Sequence, residues 1–306
     1  MDNVKKLPKI SVLVTTFNRC DILKRCLNSV LNQDYPKELL EIVVLDDASS
    51  DTTPKEIPAF LENTKNINLC AVSFLQNKEN MGIIYGRWLL ANKMASDSEM
   101  ALFLDDDAYL EQKNSLSLLV SYVLDNPATG IIGPRFVYED EPLKTAHSAN
   151  FINPWTARYK SRESNQPMSC DWLYSICLLA TKEALTKTGG FWPDYYVTHA
   201  EVDFCLRVKN SGLRVIYYPA VQVRHKEKTN PIKRERLYYL YRNKLILISR
   251  NFALLNKVTA TIFILTLGLP RYIFESIRAH GKIFFPEIKL IFLSIWRGLK
   301  GKSGRL

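Results

Sequence analysis

The first 225 residues alternate short apolar runs with segments of helical periodicity. Apolar runs without in/out alternation predict strands covered on both faces, as in a parallel sheet under helices. Residues 20–31 place their apolar side chains at i, i+3 and i+4, which predicts a crossover helix packed on that sheet. The pattern therefore predicts a doubly wound α/β domain over residues 1–225. Its predicted strands are Ile10–Val14, Ile42–Leu45, Cys70–Leu75, Ala101–Leu104, Gly130–Ile132 and Leu213–Tyr218.

The pattern changes after His225, and residues 226–306 form a second predicted region. Asn256 and Lys257 interrupt its first apolar stretch, and Pro270 closes a run of only about twelve residues, whereas a spanning helix needs about 20. Beyond Pro286, apolar side chains recur on one helical face bordered by cations, which is typical of a helix lying in a membrane interface. The alternative is an amphipathic helix docked on the globular domain. The apolar face consists of Ile288, Ile291, Phe292, Ile295 and Leu299, with Trp296 near its edge.

The charge of the chain is divided between the same two regions. Residues 226–306 hold 17 Lys and Arg against 4 Asp and Glu, whereas residues 1–225 hold 24 against 27. A basic, apolar region favours an anionic membrane surface as its partner. The non-enzymatic alternative is a nucleic-acid-binding protein, but the basic residues are too scattered among apolar ones to follow phosphates. We therefore expect no nucleic-acid partner.

Composition narrows the class and the location of the protein. With 306 residues, 47% of them hydrophobic, the chain has ample material for a core and is not of the disordered type. The six cysteines show no C-x-x-C pair and no zinc-ligand spacing, which indicates reduced, mostly buried thiols. The polar N-terminus lacks the apolar stretch of a secretion signal. We expect a cytoplasmic protein, peripheral on the inner face of the cell membrane.

Two clusters of aspartates follow directly after predicted strands. Asp46 and Asp47 follow one strand, and Asp105, Asp106 and Asp107 follow another. In an open parallel sheet, ligands bind beyond the carboxyl ends of the strands. Adjacent carboxylates repel one another and gain nothing from unpaired burial, whereas Mg²⁺ or Mn²⁺ prefers oxygen ligands and often shares them with substrate phosphates. The clusters therefore predict a divalent metal site, with a solvated acidic loop as the alternative.

The common phosphate-binding motifs are missing. Neither G-x-G-x-x-G after the first strand nor G-x-x-x-x-G-K-[ST] occurs, which argues against a dinucleotide oxidoreductase and a P-loop NTPase. The first strand ends instead in the polar turn Thr15–Arg19.

A third group of acidic residues lies at the start of a predicted helix in His199–Arg207. Glu201 and Asp203 stand at its N-terminal end, where the helix dipole favours carboxylates. The turn-rich segment Gly189–Pro193 could bring this helix over the edge of the sheet. His225 follows an apolar run, and a histidine in that position is more often plain surface than a ligand.

Five segments carry a resemblance to a known family, and they occur along the chain in the order Ile10–Arg19, Glu41–Thr53, Glu79–Arg87, Phe103–Leu110 and Gly189–Arg207. In this order they resemble family 2 glycosyltransferases with the GT-A fold, over roughly residues 8–225. The resemblance implies inverting transfer of a sugar from a nucleotide-diphosphate donor to an acceptor hydroxyl. The tail, with Tyr238–Leu247 and Arg297–Arg305, more weakly resembles the bacterial rhamnosyltransferase-like branch.

The resemblance also implies roles for residues around the nucleotide and the metal. Asp46 matches the position that binds the nucleotide base, with Asp47 in its place if the register differs by one. Asp105 matches the acid that contacts the ribose, and Asp107 the acid that contacts the metal, with Asp106 as a rival ligand. Other positions matched to the nucleotide site are Thr15, Phe17 and Arg19, and His225 matches a position that completes the metal shell in some relatives.

Glu201 matches the catalytic base, although the family usually has Glu-Asp where this chain has Ala200-Glu201. The resemblance implies that a metal stabilises the departing diphosphate while this base takes the acceptor proton, so that one displacement inverts the sugar. Nucleotidyl transfer and nucleotide-sugar binding without turnover are the alternatives. We expect a glycan acceptor, lipid-linked and used in surface-polysaccharide assembly, to meet Trp155, Asp171, Trp172 and Asp203.

Overall fold

A mixed β-sheet forms the centre of the protein in a computed structural model, which describes residues 6–68, 70–225, 234–270 and 285–302. The strands are β1 (Ile10–Thr16), β2 (Leu40–Asp46), β3 (Ala71–Gln76), β4 (Met100–Asp105), β5 (Ala108–Leu110), β6 (Thr129–Tyr138), β7 (Thr145–His147), β8 (Ala149–Ile152), β9 (Tyr159–Arg162), β10 (Met168–Cys170), β11 (Cys177–Thr181) and β12 (Arg214–His225).

Helices cover both faces of this sheet. They are α1 (Cys20–Leu31), α2 (Thr53–Asn68), α3 (Ile83–Ala91), α4 (Ser115–Asp125), α5 (Lys182–Thr188), α6 (Ala200–Asn210), α7 (Arg234–Asn251), α8 (Leu254–Phe263), which continues as a π-helical turn (Ile264–Gly268), and α9 (Phe285–Leu299). Two short 3₁₀ turns lie at Lys37–Leu39 and Pro193–Tyr195.

The sheet has the order β10-β12-β6-β11-β4-β1-β2-β3, with β5 paired to β12 and β7 to β6. Strands β3, β2, β1 and β4 are parallel, which confirms the predicted α/β class. Beyond β4 the sheet is mixed, because β11 is antiparallel to both β4 and β6. Parallel pairing recurs in this second half, where β12 is parallel to β6.

The apolar periodicity of the helices explains how they cover the sheet. Helix α1 buries Leu23, Leu27 and Val30 completely, as its i, i+3, i+4 spacing predicts. The edge strand β3 differs from its prediction, because its residues alternate between exposed and half-buried. Within the described residues, no strand pairs with the outer side of β3. This apolar run therefore forms an edge strand of the sheet and not a buried central one.

Helix α7 belongs to the same core as the sheet. Ile246, Leu247 and Ile248 are buried in one cluster with Phe204 and Leu206 of α6. The apolar side of α7 therefore packs in one core with α6, on both sides of the predicted boundary at residue 225.

Helix α9 docks on α7 through a face that includes Ile291 of the predicted stripe but not Phe292 or Leu299. Ile291 and Ser294 are buried there. A Cβ at Gly298 would lie 2.9 Å from the Cβ of Leu245 and 3.0 Å from a backbone oxygen of α7, so the absent side chain permits the close approach. Phe292 of the predicted stripe faces outward and is 65% exposed.

The docking of α9 fits the alternative interpretation, an amphipathic helix on the globular domain, while leaving apolar side chains on its outer side. The side chain of Ile288, another member of the predicted stripe, lies outside the described residues. Among the helices that the structure describes, none combines the length and the apolar character needed to cross a bilayer.

Candidate active site

The register of the parallel strands brings the two aspartate clusters to one edge of the sheet. Thr16 pairs with Asp46 across β1 and β2, and Thr15 pairs with Asp105 across β1 and β4. The carboxyl ends of three strands therefore meet at one place, as expected for a ligand site in an open α/β sheet.

The short strand β5 brings a histidine to this edge from the far end of the domain. It starts directly after Asp107 and runs antiparallel to the end of β12, so that Ala108 lies opposite His225. His225 Nε2 lies 3.3 Å from Asp107 Oδ1. The pairing places side chains more than a hundred residues apart in one cluster.

Asp105, Asp107 and His225 form a group that fits a divalent cation. One ligand atom from each lies within 4.8 Å of the others, and all three side chains are half-buried. Burial raises the pKa of Asp105, although the charge of Arg87 opposes the shift. Burial acts in the same direction on Asp107, but the hydrogen bond with His225 and the charge of Arg19 outweigh it and hold that pKa below its usual value. A bound cation would offset the remaining repulsion between the two carboxylates.

Asp106 has a different environment, although it lies between the other two aspartates. Its carboxylate accepts hydrogen bonds from Thr16 Oγ1 at 2.7 Å and from Arg19 Nη1 at 2.7 Å, and burial raises its pKa to about 6. Arg19 also donates to Asp107 Oδ2 at 2.7 Å. Asp106 is therefore tied to β1 and is not part of the Asp105–Asp107–His225 group, contrary to its interpretation as a rival ligand.

Arg87 is a site residue to which the sequence analysis assigned no role. Its guanidinium donates to Asp105 Oδ1 at 2.5 Å and to the side-chain and backbone oxygens of Ser175 at 2.5 and 2.9 Å. Helix α3 can deliver it because Gly86 lies against β1, where a Cβ would come within 2.7 Å of Thr15. The adjacent Gly-Arg pair in the Glu79–Arg87 segment was the available signal.

A cavity of about 230 Å³ adjoins the aspartates. Five of the seven residues predicted for the nucleotide site line it, whereas Asp46 and Asp105 do not. The lining consists of Thr15, Thr16, Phe17, Arg19, Asp47, Asn80, Gly82, Ile83 and Asp106.

Of the two acids after β2, Asp47 is the one that lines this cavity. Its oxygens accept from the backbone N–H groups of Met81 and Gly82 at 2.9 and 2.8 Å. Asp46 is completely buried and accepts from the Ser49 N–H and from Gln76 Nε2, both at 3.0 Å. The structure therefore favours the register in which Asp47 replaces Asp46 at the pocket, because Asp46 holds the turn after its strand.

Glu201 stands in the first turn of α6, directly after a loop in an unusual backbone conformation. Tyr196, Thr198 and His199 all have positive φ, at 63°, 59° and 65°, a region that residues other than glycine seldom occupy. The side-chain amide of Asn243 in α7 donates to the carbonyls of Tyr195, Val197 and Thr198, at 3.1, 2.5 and 3.1 Å. Helix α7 thereby fixes the loop that sets the position of Glu201.

Three of the four residues predicted to meet an acceptor have structural contacts instead. Asp203 is fully buried and accepts from Arg207, Arg250 and Asn251, at 2.8, 3.1 and 2.8 Å. Asp171 pairs with Lys209 and accepts from the Ile152 N–H at 2.8 Å. Trp172 is only 4% exposed, whereas Trp155 is 50% exposed. The buried members offer little surface to an acceptor, and only Trp155 is open to solvent.

A family model and curated proteins that are similar to this chain both point to glycosyltransferases. The sequence model described as "Glycosyl transferase family 2" matches residues 11–179. YdaM of Bacillus subtilis, a probable glycosyltransferase, is 26% identical over 225 residues, which cover 72% of this chain and 51% of YdaM. The O-antigen chain rhamnosyltransferase RfbN of Salmonella typhimurium is 22% identical over 233 residues, which cover 76% of this chain and 70% of RfbN. The chain thus spans about half the length of YdaM.

Solved structures are similar over most of the chain. GalNAc-T7 with UDP, GalNAc and Mn²⁺ has a TM-score of 0.64 at 17% identity, covering 80% of this chain and 48% of that one. Residues 1–349 of Staphylococcus aureus TarS in complex with UDP have a TM-score of 0.63 at 17% identity, covering 96% and 80%. These similarities confirm the fold that the sequence predicts.

Proposed function

The chain belongs to glycosyl transferase family 2, and from this premise we propose that it moves a sugar from a nucleotide-diphosphate donor to a hydroxyl of a glycan acceptor, with inversion and with a divalent cation. The observation that carries the proposal is the group of Asp105, Asp107 and His225 beside the cavity that Asp47 and Arg19 line. A nucleotide in that cavity would bring its diphosphate next to the ligand group. The relatives named above support a role in polysaccharide biosynthesis.

The ligand group would hold Mg²⁺ or Mn²⁺, since two carboxylates and an imidazole suit either ion. When bound, such an ion neutralises charge on the departing diphosphate. Arg87 holds Asp105, and Arg19 holds Asp107 together with Asp106. These two arginines keep the carboxylates in place and limit their mutual repulsion.

Glu201 is the proposed base. Its carboxylate takes the proton of the acceptor hydroxyl as the hydroxyl oxygen attacks the anomeric carbon. The bond from that carbon to the diphosphate oxygen breaks on the opposite face, so a single displacement inverts the configuration. The fixed loop before α6 and the core contacts of α7 support this role, because a base must be held within hydrogen-bond reach of its proton.

The Glu201→Gln variant tests this function. A thermal-shift screen of UDP-, GDP- and dTDP-sugars with Mn²⁺ or Mg²⁺ identifies the donor, and release of the nucleoside diphosphate measures turnover. We expect turnover to fall about 10²–10⁴-fold, the usual contribution of a general base, while donor affinity stays unchanged. Glu183→Gln, on the exposed side of α5, serves as the matched control and should change neither quantity. Unimpaired turnover in Glu201→Gln, or release of pyrophosphate in place of a nucleoside diphosphate, would reject the assignment.

The outer sides of α8 and α9 support a location on the cytoplasmic face of an anionic membrane, with a lipid-linked glycan as the acceptor. Leu255, Ile262 and Phe292 are more than half exposed. Lys300 and Lys302 lie over the ring of the half-exposed Trp296, with their Nζ atoms 4.6 and 4.9 Å from its centroid. Apolar side chains bordered by lysines are the surface that an anionic bilayer attracts.

A further inference from the structure

A second cavity, of about 360 Å³, has no part in the reaction as described so far. It lies between the β8–β9 hairpin, the start of α6, α7 and the π-helical turn after α8. Its wall is almost entirely apolar, and its volume is that of a small-molecule site. The lining residues that matter here are Arg158, Tyr159, His199, Lys244 and Ile264.

Lys244 is a half-buried cation that lines this cavity. Its ammonium lies 4.1 Å from the centroid of the Tyr159 ring. Burial and the neighbouring charge of Arg158 lower its pKa to about 8. In the described part of the chain, no carboxylate oxygen is paired with its Nζ. An anion in the cavity would pair with this charge, so an anionic ligand fits this position.

Tyr159 supplies an independent sign of a missing ligand. Its hydroxyl is buried and has no hydrogen-bond partner among the described residues, although buried polar groups are nearly always satisfied. The charge of Glu201 contributes to the raised pKa of Tyr159, so the proposed base lies near this ring. An oxygen-rich anion in the cavity would satisfy Tyr159 and Lys244 and would lie near Glu201.

The rest of the cavity favours an apolar chain attached to that anion. Ile264 forms part of the wall, and its near neighbours Ile262 and Leu267 are 54% and 60% exposed on the outside of the same helical segment. One segment therefore lines the cavity and carries exposed apolar surface. The cavity and the proposed membrane-facing surface are continuous along this segment.

We infer that this cavity binds a lipid phosphate, with the phosphate on Lys244, Arg158 and Tyr159 and the first part of the chain along the apolar wall. The inference rests on the proposed function, because the lipid phosphate is taken to be part of the glycan acceptor. Binding of that phosphate would hold the acceptor sugar near Glu201.

Isothermal titration of the full chain with farnesyl phosphate tests the inference, with farnesol and inorganic phosphate as the two halves of the probe. We expect farnesyl phosphate to bind at least tenfold more tightly than either half. Lys244→Met should weaken its binding at least tenfold, the loss expected for one charge-assisted contact, while Lys244→Arg should largely retain it. Lys160→Met, at an exposed position on β9, is the matched control. Thermal denaturation checks that each variant is folded.

Three results would overturn the inference: no binding of farnesyl phosphate, equal binding by Lys244→Met, or equal binding of farnesol. Titration of the protein with the donor in the presence of Mn²⁺ distinguishes failure of this inference from failure of the proposed function. Loss of lipid-phosphate binding with normal donor binding rejects the lipid site alone. Normal lipid-phosphate binding without any donor binding rejects the transferase.

Discussion

Asp105, Asp106 and Asp107 are chemically identical neighbours with three different surroundings. Asp105 ends β4 and meets Arg87, Asp106 turns toward β1 and is held by Thr16, and Asp107 meets His225. Asp106 and Asp107 form the turn between β4 and β5, so the three consecutive acids face different partners. Only the outer two share a space that a cation could fill.

The difference between these aspartates leads to a metal-binding prediction. Asp107→Asn removes one of two carboxylates from the ligand group, so Mn²⁺ affinity, measured by titration in the presence of the donor, should fall at least tenfold. The matched control is Asp21→Asn, whose side chain is 97% exposed. EDTA should abolish donor binding by the wild-type protein. Wild-type Mn²⁺ affinity in Asp107→Asn would show that the ligand group is misassigned.

His199 leads to a prediction on the pH dependence of stability. Burial, assisted by the charge of Lys244, lowers the pKa of His199 to about 3, against about 6.5 in the unfolded chain. The titratable groups around its ring include Lys244 and Tyr159, the latter with ring centroids 6.0 Å apart. As the pH falls below 6.5, the unfolded state gains a proton that the native state does not bind. This histidine therefore lowers the free energy of unfolding by about 1.4 kcal/mol per pH unit.

The His199→Asn variant removes that contribution, and asparagine tolerates the positive φ at this position. Urea denaturation at pH 7 and pH 5 should show a loss of stability on acidification about 2 kcal/mol smaller in the variant than in the wild-type protein. An equal loss in both proteins would contradict neutral burial of the imidazole.

At the level of elements, α6 depends on α7 for its position. Asn243 holds three carbonyls of the loop before α6, and Arg250 and Asn251 hold Asp203 within α6. The middle and the C-terminal end of α7 both hold α6 and the loop before it through polar side chains. The proposed base, Glu201, thus lies on a helix that α7 holds in place, and α7 belongs to the predicted C-terminal region, residues 226–306.

Asn243→Ala tests this dependence. The variant leaves buried carbonyls without a donor, so the free energy of unfolding should fall by about 1–3 kcal/mol. Turnover of the folded variant should fall more than its donor affinity, since the donor cavity does not include this loop. Asn28→Ala, at an exposed position of α1, is the control. Unchanged turnover in a folded Asn243→Ala would show that the loop does not position the base.

Local patterns in the sequence predicted which segments form strands better than they predicted how those strands pair. All six predicted strands are present, because uninterrupted apolar runs mark them whatever they pair with. The five-residue strand β11 was missed, and it is the strand that changes the sheet from parallel to mixed. Likewise, the sequence placed α7 in the C-terminal region and could not show that it shares one core with α6.

The same limit applies to the candidate site. Asp107 and His225 were assigned from their positions after strands and from family resemblance, and the structure brings them together. Arg87 lay in a segment that resembles the family but was given no role, and Lys244 gave no signal, because both act through contacts with Asp105 and Tyr159, which are distant in the sequence. Asp203 and Trp172, which were expected to meet the acceptor, are buried. A local sequence pattern does not predict such burial, because tertiary contacts cause it.

Among the residues that the structure describes, most of the exposed large apolar side chains lie in the C-terminal region that also holds the basic excess of the sequence. Phe292 and Trp296 are 65% and 47% exposed on α9, close to Lys300 and Lys302. The other side of this helix is used for docking on α7. A helix with one face docked and one face apolar can attach the whole domain to a surface.

We expect the double variant Phe292→Ser, Trp296→Ser to bind anionic vesicles of phosphatidylglycerol and phosphatidylcholine at least tenfold more weakly, because two large apolar side chains no longer enter the interface. Sedimentation with the vesicles measures this, and high salt should weaken binding of the wild-type protein. Leu143→Ser, at a fully exposed apolar residue elsewhere, controls for general hydrophobicity. No loss in the double variant would place the contact on another surface.

The contacts of Asn243, Arg250 and Asn251 with the segment 195–203 also have a consequence for timing. A chain emerging from the ribosome presents its N-terminal region first, so the strands and turns around the donor cavity are made before the residues that secure the base. The loop before α6 therefore stays without these contacts until α7 has been synthesised, so the position of the proposed base is the last part of the site to be fixed.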